Sequence, residues 1–123
     1  MKRQIHPQIF LASQSPQRKK ILRSLGLKFK EFPSRVKERR QTGIPCAKLV
    51  IENALAKAKG VAHKVRSGIV IGADTVVFSD AKIMGKPKNL RAAKRMLKEL
   101  TQKPQWVYTG LAIIDVQKKK IFT

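Results

Sequence analysis

The sequence predicts one α/β domain built on a mixed β-sheet. Three observations carry this expectation. Strand-like runs alternate with helical ones along the chain, the helical runs repeat apolar residues at i, i+3 and i+4, and 123 residues suffice for one core but not for two. A hydrophobic content of 42% argues against disorder.

Ile9, Phe10, Leu11 and Ala12 form the first expected strand, followed at once by Ser13-Gln14-Ser15-Pro16. Ser15 has the chemistry of an N-cap, and Pro16 suits the first helical position, where a missing N–H is no loss. The helix is expected to run to about Leu25, with Ile21, Leu22 and Leu25 on one face and Gly26 as its stop. A strand feeding a Ser-capped helix points N–H groups beyond the strand end. That makes an anion site within reach of Ser13, Ser15 and Arg18; an ordinary capped helix with an exposed Arg fits the same residues.

Residues 28–32 alternate weakly and read as a second strand. Residues 33–45 are polar and basic, a loop in which Glu38 is the only acid between Glu31 and Glu52. A long helix is expected over 47–64, with Leu49, Val50, Ala54, Leu55, Ala58, Val61 and Ala62 at helical spacing. Asn53 and Lys57 stand one turn apart beside that face, so they project together.

Residues 69–87 are the centre of the chain. They open with the composition of a strand buried on both faces, interrupted by Asp74 and Thr75. A carboxylate there is costly to bury, on the order of several kcal/mol, unless a cation or hydrogen-bond donors compensate it. Ser79-Asp80-Ala81 reads as a turn, Ile83-Met84 as a returning strand, and Gly85-Lys86-Pro87 as a tight exit with one ammonium. The stretch holds a candidate metal-binding acid, Asp74, and across a hairpin a candidate phosphate-binding base, Lys86. An Asp satisfied by backbone N–H groups and a solvated turn Lys would look the same. Asn89 can cap a helix over 90–100 striped with Ala93, Met96, Leu97 and Leu100. A turn over 102–104 leads to a strand over 106–116, broken at Thr109-Gly110, and then to a further strand at Lys120-Ile121-Phe122.

The charge is the outlying quantity: 28 Lys and Arg against 7 Asp and Glu give +21. Such a surface attracts polyanions without specificity. The basic residues are scattered, however, and the 6% of aromatics do not interleave with them as a single-strand stacking platform requires. A general lysine bias explains the charge equally well. The single Cys46 excludes an internal disulfide, no Cys/His spacing reads as a zinc site, and His6 and His63 are expected on the surface. There is no Gly-rich Walker or Rossmann loop. No signal-peptide core or membrane-length apolar run is present, so a cytoplasmic location without a membrane partner is expected.

Four segments taken in order, LASQSPQRKKILRSLG, SRVKE, ENALAKA and GADTVVFSDAKIMGKP, resemble the Maf family of nucleoside triphosphate pyrophosphatases. The likeness runs from Leu11 through the strand that holds Tyr108-Thr109-Gly110. It implies a curved mixed sheet flanked by helices, as in Maf and inosine-triphosphatase-like proteins, with a nucleotide cleft between two lobes. It also implies hydrolysis of a nucleoside triphosphate between its α- and β-phosphates with a divalent metal, Mg²⁺ or Mn²⁺. Position by position, the resemblance places Ser13, Ser15 and Arg18 at a phosphate-binding helix start. It makes Glu38 the loop acid, Lys57 the helix lysine, Asp74 the strand acid with Thr75 as a substrate contact beside it, and Lys86 the lysine of the Lys-Pro turn. Asp74 and Glu38 thereby become the implied catalytic and metal-binding pair. GADTVV resembles the branch acting on dTTP and UTP.

Three departures stand out. Gln17 replaces the first of two consecutive arginines, and Lys37 replaces an Asp before the loop Glu. The family's chain also continues past residue 123, so the C-terminal lobe is expected to be incomplete. The chain then reads as a fragment of a longer product or as a catalytically degenerate relative. The second case would be a nucleotide- or nucleic-acid-binding protein with a regulatory role in cell division, since the family is linked to septum formation. Apolar surface left uncovered would favour a homodimer.

Overall fold

Residue punctuation sets most of the element boundaries. The computed structural model describes residues 6–39, 43–79, 82–85 and 87–123. The elements are β1 (Ile9–Leu11), α1 (Pro16–Ser24), β2 (Lys30–Glu31), α2 (Cys46–Ala62), β3 (Ile69–Ser79), β4 (Lys82–Met84), α3 (Leu90–Gln102), β5 (Gln105–Asp115) and β6 (Lys120–Phe122). The Ser15 hydroxyl accepts from the Arg18 N–H with Pro16 at the first helical position, and Asn89 accepts from the Ala92 N–H at 2.8 Å. Both expected caps are in place. Helix α1 ends on Gly26 at φ 76°, with the Gly26 N–H on the Arg23 carbonyl and the Leu27 N–H on that of Leu22. Only a residue tolerant of left-handed backbone closes a helix in this way without strain.

The strands form one six-stranded sheet in the order β2-β1-β3-β5-β6, with β4 also on β3. β1 is parallel to β2 and to β3, and the remaining pairs are antiparallel. This is the expected mixed sheet. β1 lies between the strands that follow α1 and α2, so the chain leaves it first to one side and then to the other. In open α/β sheets, such a reversal opens a crevice at the carboxyl end of the strand.

Helix α2 covers one face of β3 and β5. Ala54, Ala58 and Val61 pack with Val70, Ala112 and Ile114 in the buried core, and Ala12 joins them from the end of β1. The approach is close because the facing positions are small. A Cβ on Gly72 would collide with the Ala54 carbonyl, and one on Gly110 with the Val50 carbonyl. Helix α1 stands over the opposite face, where Ile21 and Leu22 border a cavity with Ile71, Ala73 and Leu111.

Four expectations need correction. β5 is not broken at Thr109-Gly110: Thr109 pairs with Thr75 and Gly110 with Asp74 inside a continuous ladder. Gly110 is there for the α2 backbone and not to end a strand. β3 is not buried on both faces, since Thr75 is exposed and Ile69 and Ile71 are half-buried; full burial is confined largely to the α2 side. Ile21 and Leu25 of α1 remain 58% and 67% exposed, and α3 likewise has no buried residue. The second strand shrinks to Lys30–Glu31, because only those residues run alongside β1. The expected turn residues Asp80 and Ala81 lie outside the described residues.

Candidate functional site

β3 is longer than its neighbours on one edge. β5 pairs with it along its whole length, whereas the other edge is shared by β1 at residues 69–71 and by β4 at residues 77–79. Among the described residues, 72–76 have no strand partner on that edge. The Ile71 carbonyl points toward β1, where it accepts from the Ala12 N–H at 2.8 Å. By strand alternation, the Ala73 carbonyl points the same way, into the gap. Lys57 fills that need: its Nζ donates to the Ala73 carbonyl at 3.1 Å.

The same ammonium gathers the two acids. It lies 2.5 Å from Glu38 Oε1 and 3.4 Å from Asp74 Oδ1. Asp74 is 3% exposed, and its second oxygen, Oδ2, accepts from Asn53 Nδ2 at 2.9 Å. The buried carboxylate therefore has a cation on one oxygen and an amide donor on the other, which is what burial of that charge demands. One turn of α2 separates Asn53 from Lys57, so a single helix face supplies both partners.

The start of α1 forms the facing wall. The Ser13 hydroxyl accepts from the Ser15 N–H at 3.1 Å and from Arg18 Nη1 at 3.1 Å. Arg18 Nη2 reaches the Thr75 hydroxyl at 3.5 Å, and Thr75 shares a 3.0 Å hydrogen bond with Thr109. The guanidinium is thus held across the gap between β1 and β3. A cleft of about 660 Å³ runs from Ser13, Ser15 and Arg18 to Glu38 and Lys57. An adjoining recess of about 240 Å³ shares Ser15, Arg18, Glu38 and Lys57 and reaches Asp74, Thr75 and Gly85. Helix dipole, serine hydroxyls and guanidinium converge on this space, a setting for phosphate oxygens.

Seven of the expected site residues therefore come together: Ser13, Ser15, Arg18, Glu38, Lys57, Asp74 and Thr75. Lys86 lies outside the described residues. Asn53 and Thr109 were not among the expected residues, although Asn53 carried a signal as an amide beside the apolar face of a helix. His6 and His63 are exposed, as expected, and Cys46 is a free, half-buried thiol at the start of α2.

Residues 8–123 match the family described as Maf-like protein. The chain belongs to the Maf family. Among curated relatives, it is 45% identical over 107 residues to a protein of Thermosipho melanesiensis, covering 87% of this chain and 57% of that one. It is 42% identical over 113 residues to one of Ruminiclostridium cellulolyticum, covering 90% and 58%. It is 38% identical over 113 residues to one of Gloeobacter violaceus, covering 92% and 60%. All three are named dTTP/UTP pyrophosphatase. The chain spans about three-fifths of the length of these relatives. A solved nucleoside-triphosphatase / dITP/XTP pyrophosphatase of Mycobacterium abscessus shares the fold at a TM-score of 0.57 and 16% identity, covering 94% of this chain and 68% of that one.

In this Maf-family chain, Asp74 and Glu38 are the residues that could hold a divalent cation. Among the described residues there is no cluster of three or more His, Cys, Asp or Glu side chains. Two carboxylates gathered on one ammonium, with the serine hydroxyls and guanidinium of the α1 start nearby, nevertheless fit Mg²⁺, which commonly takes one or two carboxylates and completes its shell with water and substrate phosphates. Among the described residues, no helix is long and apolar enough to cross a membrane.

Proposed function

We propose that this chain carries the phosphate-binding and acid half of a nucleoside triphosphate pyrophosphatase acting on dTTP and UTP. The observation that supports it best is the arrangement at the β3 edge. A buried Asp74, poised on Lys57 and Asn53, borders a recess that it shares with Ser15 and Arg18 of the α1 start, where Arg18 is braced on the Ser13 hydroxyl. The names of the relatives supply the substrate class.

In this reading, the triphosphate lies along the α1 start. Arg18 and the serine hydroxyls take phosphate oxygens, and Lys57 neutralises charge that builds on the leaving pyrophosphate. Glu38 and Asp74 orient the attacking water and accept its proton. The water oxygen bonds to the α-phosphorus, the bond from that phosphorus to the bridging oxygen breaks, and pyrophosphate leaves. A Mg²⁺ ion held by the two carboxylates and the substrate would supply further charge neutralisation.

Pyrophosphate release from a panel of nucleoside triphosphates with Mg²⁺ tests this. dTTP and UTP are the expected substrates, and Asp74→Asn is expected to lower turnover by roughly a hundredfold or more while leaving the fold intact. Equal turnover by that variant would remove Asp74 from the chemistry. A chain that neither binds nor hydrolyses any nucleotide of the panel would refute the reading.

A further inference from the structure

Asn53 makes three hydrogen bonds, each 2.9 Å long. Its Oδ1 accepts from the backbone N–H of Arg39, and its Nδ2 donates both to the backbone carbonyl of Arg39 and to Asp74 Oδ2. The residue is 3% exposed, so each of these groups would be expensive to leave without a partner. The network settles the orientation of the amide. Turned over, it would set an oxygen against the Asp74 carboxylate and the Arg39 carbonyl, and a donor against the Arg39 N–H.

A side chain that grips both the N–H and the C=O of one residue serves that residue as a strand neighbour would. Arg39 lies in a stretch without helix or strand, and it directly follows Glu38. Asn53 therefore fastens the Glu38 loop to α2 and, through the same amide, fixes the orientation of the Asp74 carboxylate. Oδ2 is taken by the amide, and Oδ1 is turned toward Lys57, where Glu38 also ends. The two acids come from distant parts of the chain and meet at one ammonium because a single carboxamide holds the supports of both.

We infer that Asn53 is the positioning residue of the site, coupling the Glu38 loop to Asp74 so that both carboxylates can act on one cation. The inference rests on the pyrophosphatase reading only for what the acids do together; the coupling itself needs no nucleotide.

Two measurements test it. The first uses amide hydrogen exchange in the protein without ligand. Asp74→Ala leaves Asn53 in place but removes one of its partners, and it should speed exchange of the Arg39 N–H several-fold while the amides of α2 and central β3 keep their protection. The second is a double-mutant cycle read by calorimetric titration with MnCl₂. Asn53→Ala should weaken Mn²⁺ binding by roughly tenfold in the wild-type background and by clearly less in Asp74→Asn, where only the Glu38 support is left to lose, because residues that act as a unit are non-additive. Equal weakening in both backgrounds, or unchanged Arg39 exchange in Asp74→Ala, would reduce Asn53 to a buried amide with satisfied bonds. Should Asn53→Ala fail to fold, the exchange measurement still decides, since it leaves Asn53 intact. Absence of Mn²⁺ and nucleotide binding in the wild type would sink the pyrophosphatase reading, and Arg39 exchange would then decide the coupling alone.

Discussion

Replacing Lys57 with Met keeps the length and most of the volume of the side chain but removes its charge. The Lys57 side chain is 11% exposed and that of Asp74 only 4%. Removing one partner of a buried pair leaves the other charge uncompensated, at about 3–5 kcal/mol. Asp74 keeps its amide donor at 2.9 Å, which places the loss near the lower end of that range. With an unfolding entropy of roughly 2.1 cal/mol/K per residue, about 3 kcal/mol lowers the melting temperature of a chain this size by about 12 °C. Urea denaturation should show a fall in the midpoint at constant slope, the sign of a stability change without a change in compactness. Adding Asp74→Asn to Lys57→Met removes the stranded charge while retaining an acceptor for Asn53, and should recover more than half of the loss. A loss below about 1 kcal/mol for Lys57→Met, or a double variant no more stable than the single one, would mean that water reaches the pair and that neither charge bears the cost of burial.

Other expectations follow from the same geometry. Gly72→Ala and Gly110→Ala each force α2 away from the sheet, and each should destabilise by about 3 kcal/mol, the upper end for overpacking, because the obstacle is backbone and not a movable side chain; thermal melts of both variants check this. Thr109→Val removes the hydroxyl that steadies Thr75 beneath Arg18, and calorimetry should show nucleotide affinity weakened by a few-fold, in line with a neutral hydrogen bond of about 1 kcal/mol. Gln17→Arg should strengthen nucleotide binding by adding a cation to the α1 wall of the cleft, and unchanged affinity would show that position to lie outside the phosphate contacts. The net charge of +21 should give weak, steeply salt-dependent binding to duplex DNA in fluorescence anisotropy, whereas sub-micromolar, sequence-preferring binding at physiological salt would favour a nucleic-acid role.

Local chemistry was the legible part of the sequence. Ser15, Pro16, Gly26 and Asn89 announce helix ends because capping depends on the residue itself. Asp74 stood out because a carboxylate in an apolar strand demands a partner, and helical spacing already set Asn53 and Lys57 side by side. What could not be read depends on tertiary contact. The grip of Asn53 on Arg39 uses backbone groups, which every residue but proline has, and so leaves no signature at position 39. Gly110 looks like a breaker unless one knows that a helix backbone passes over it. Ile21 and Leu25 carry the spacing of a packed face, yet α1 stands off the sheet across a cavity, and that face is little covered.

The gap along the edge of β3 has a consequence for how this molecule resists association. A bare strand edge is a template on which another chain can add a strand, and proteins guard such edges with charges turned inward. Here β1 and β4 leave only a short interval, and the carbonyl of Ala73 within it is already engaged by Lys57. An incoming strand would have to displace that ammonium and approach the charge of Asp74. The ammonium of Lys57 and the carboxylate of Asp74 thus act as gatekeepers of this edge against β-augmentation, and chains that lose Lys57 should be the first of any variant series to self-associate through β3.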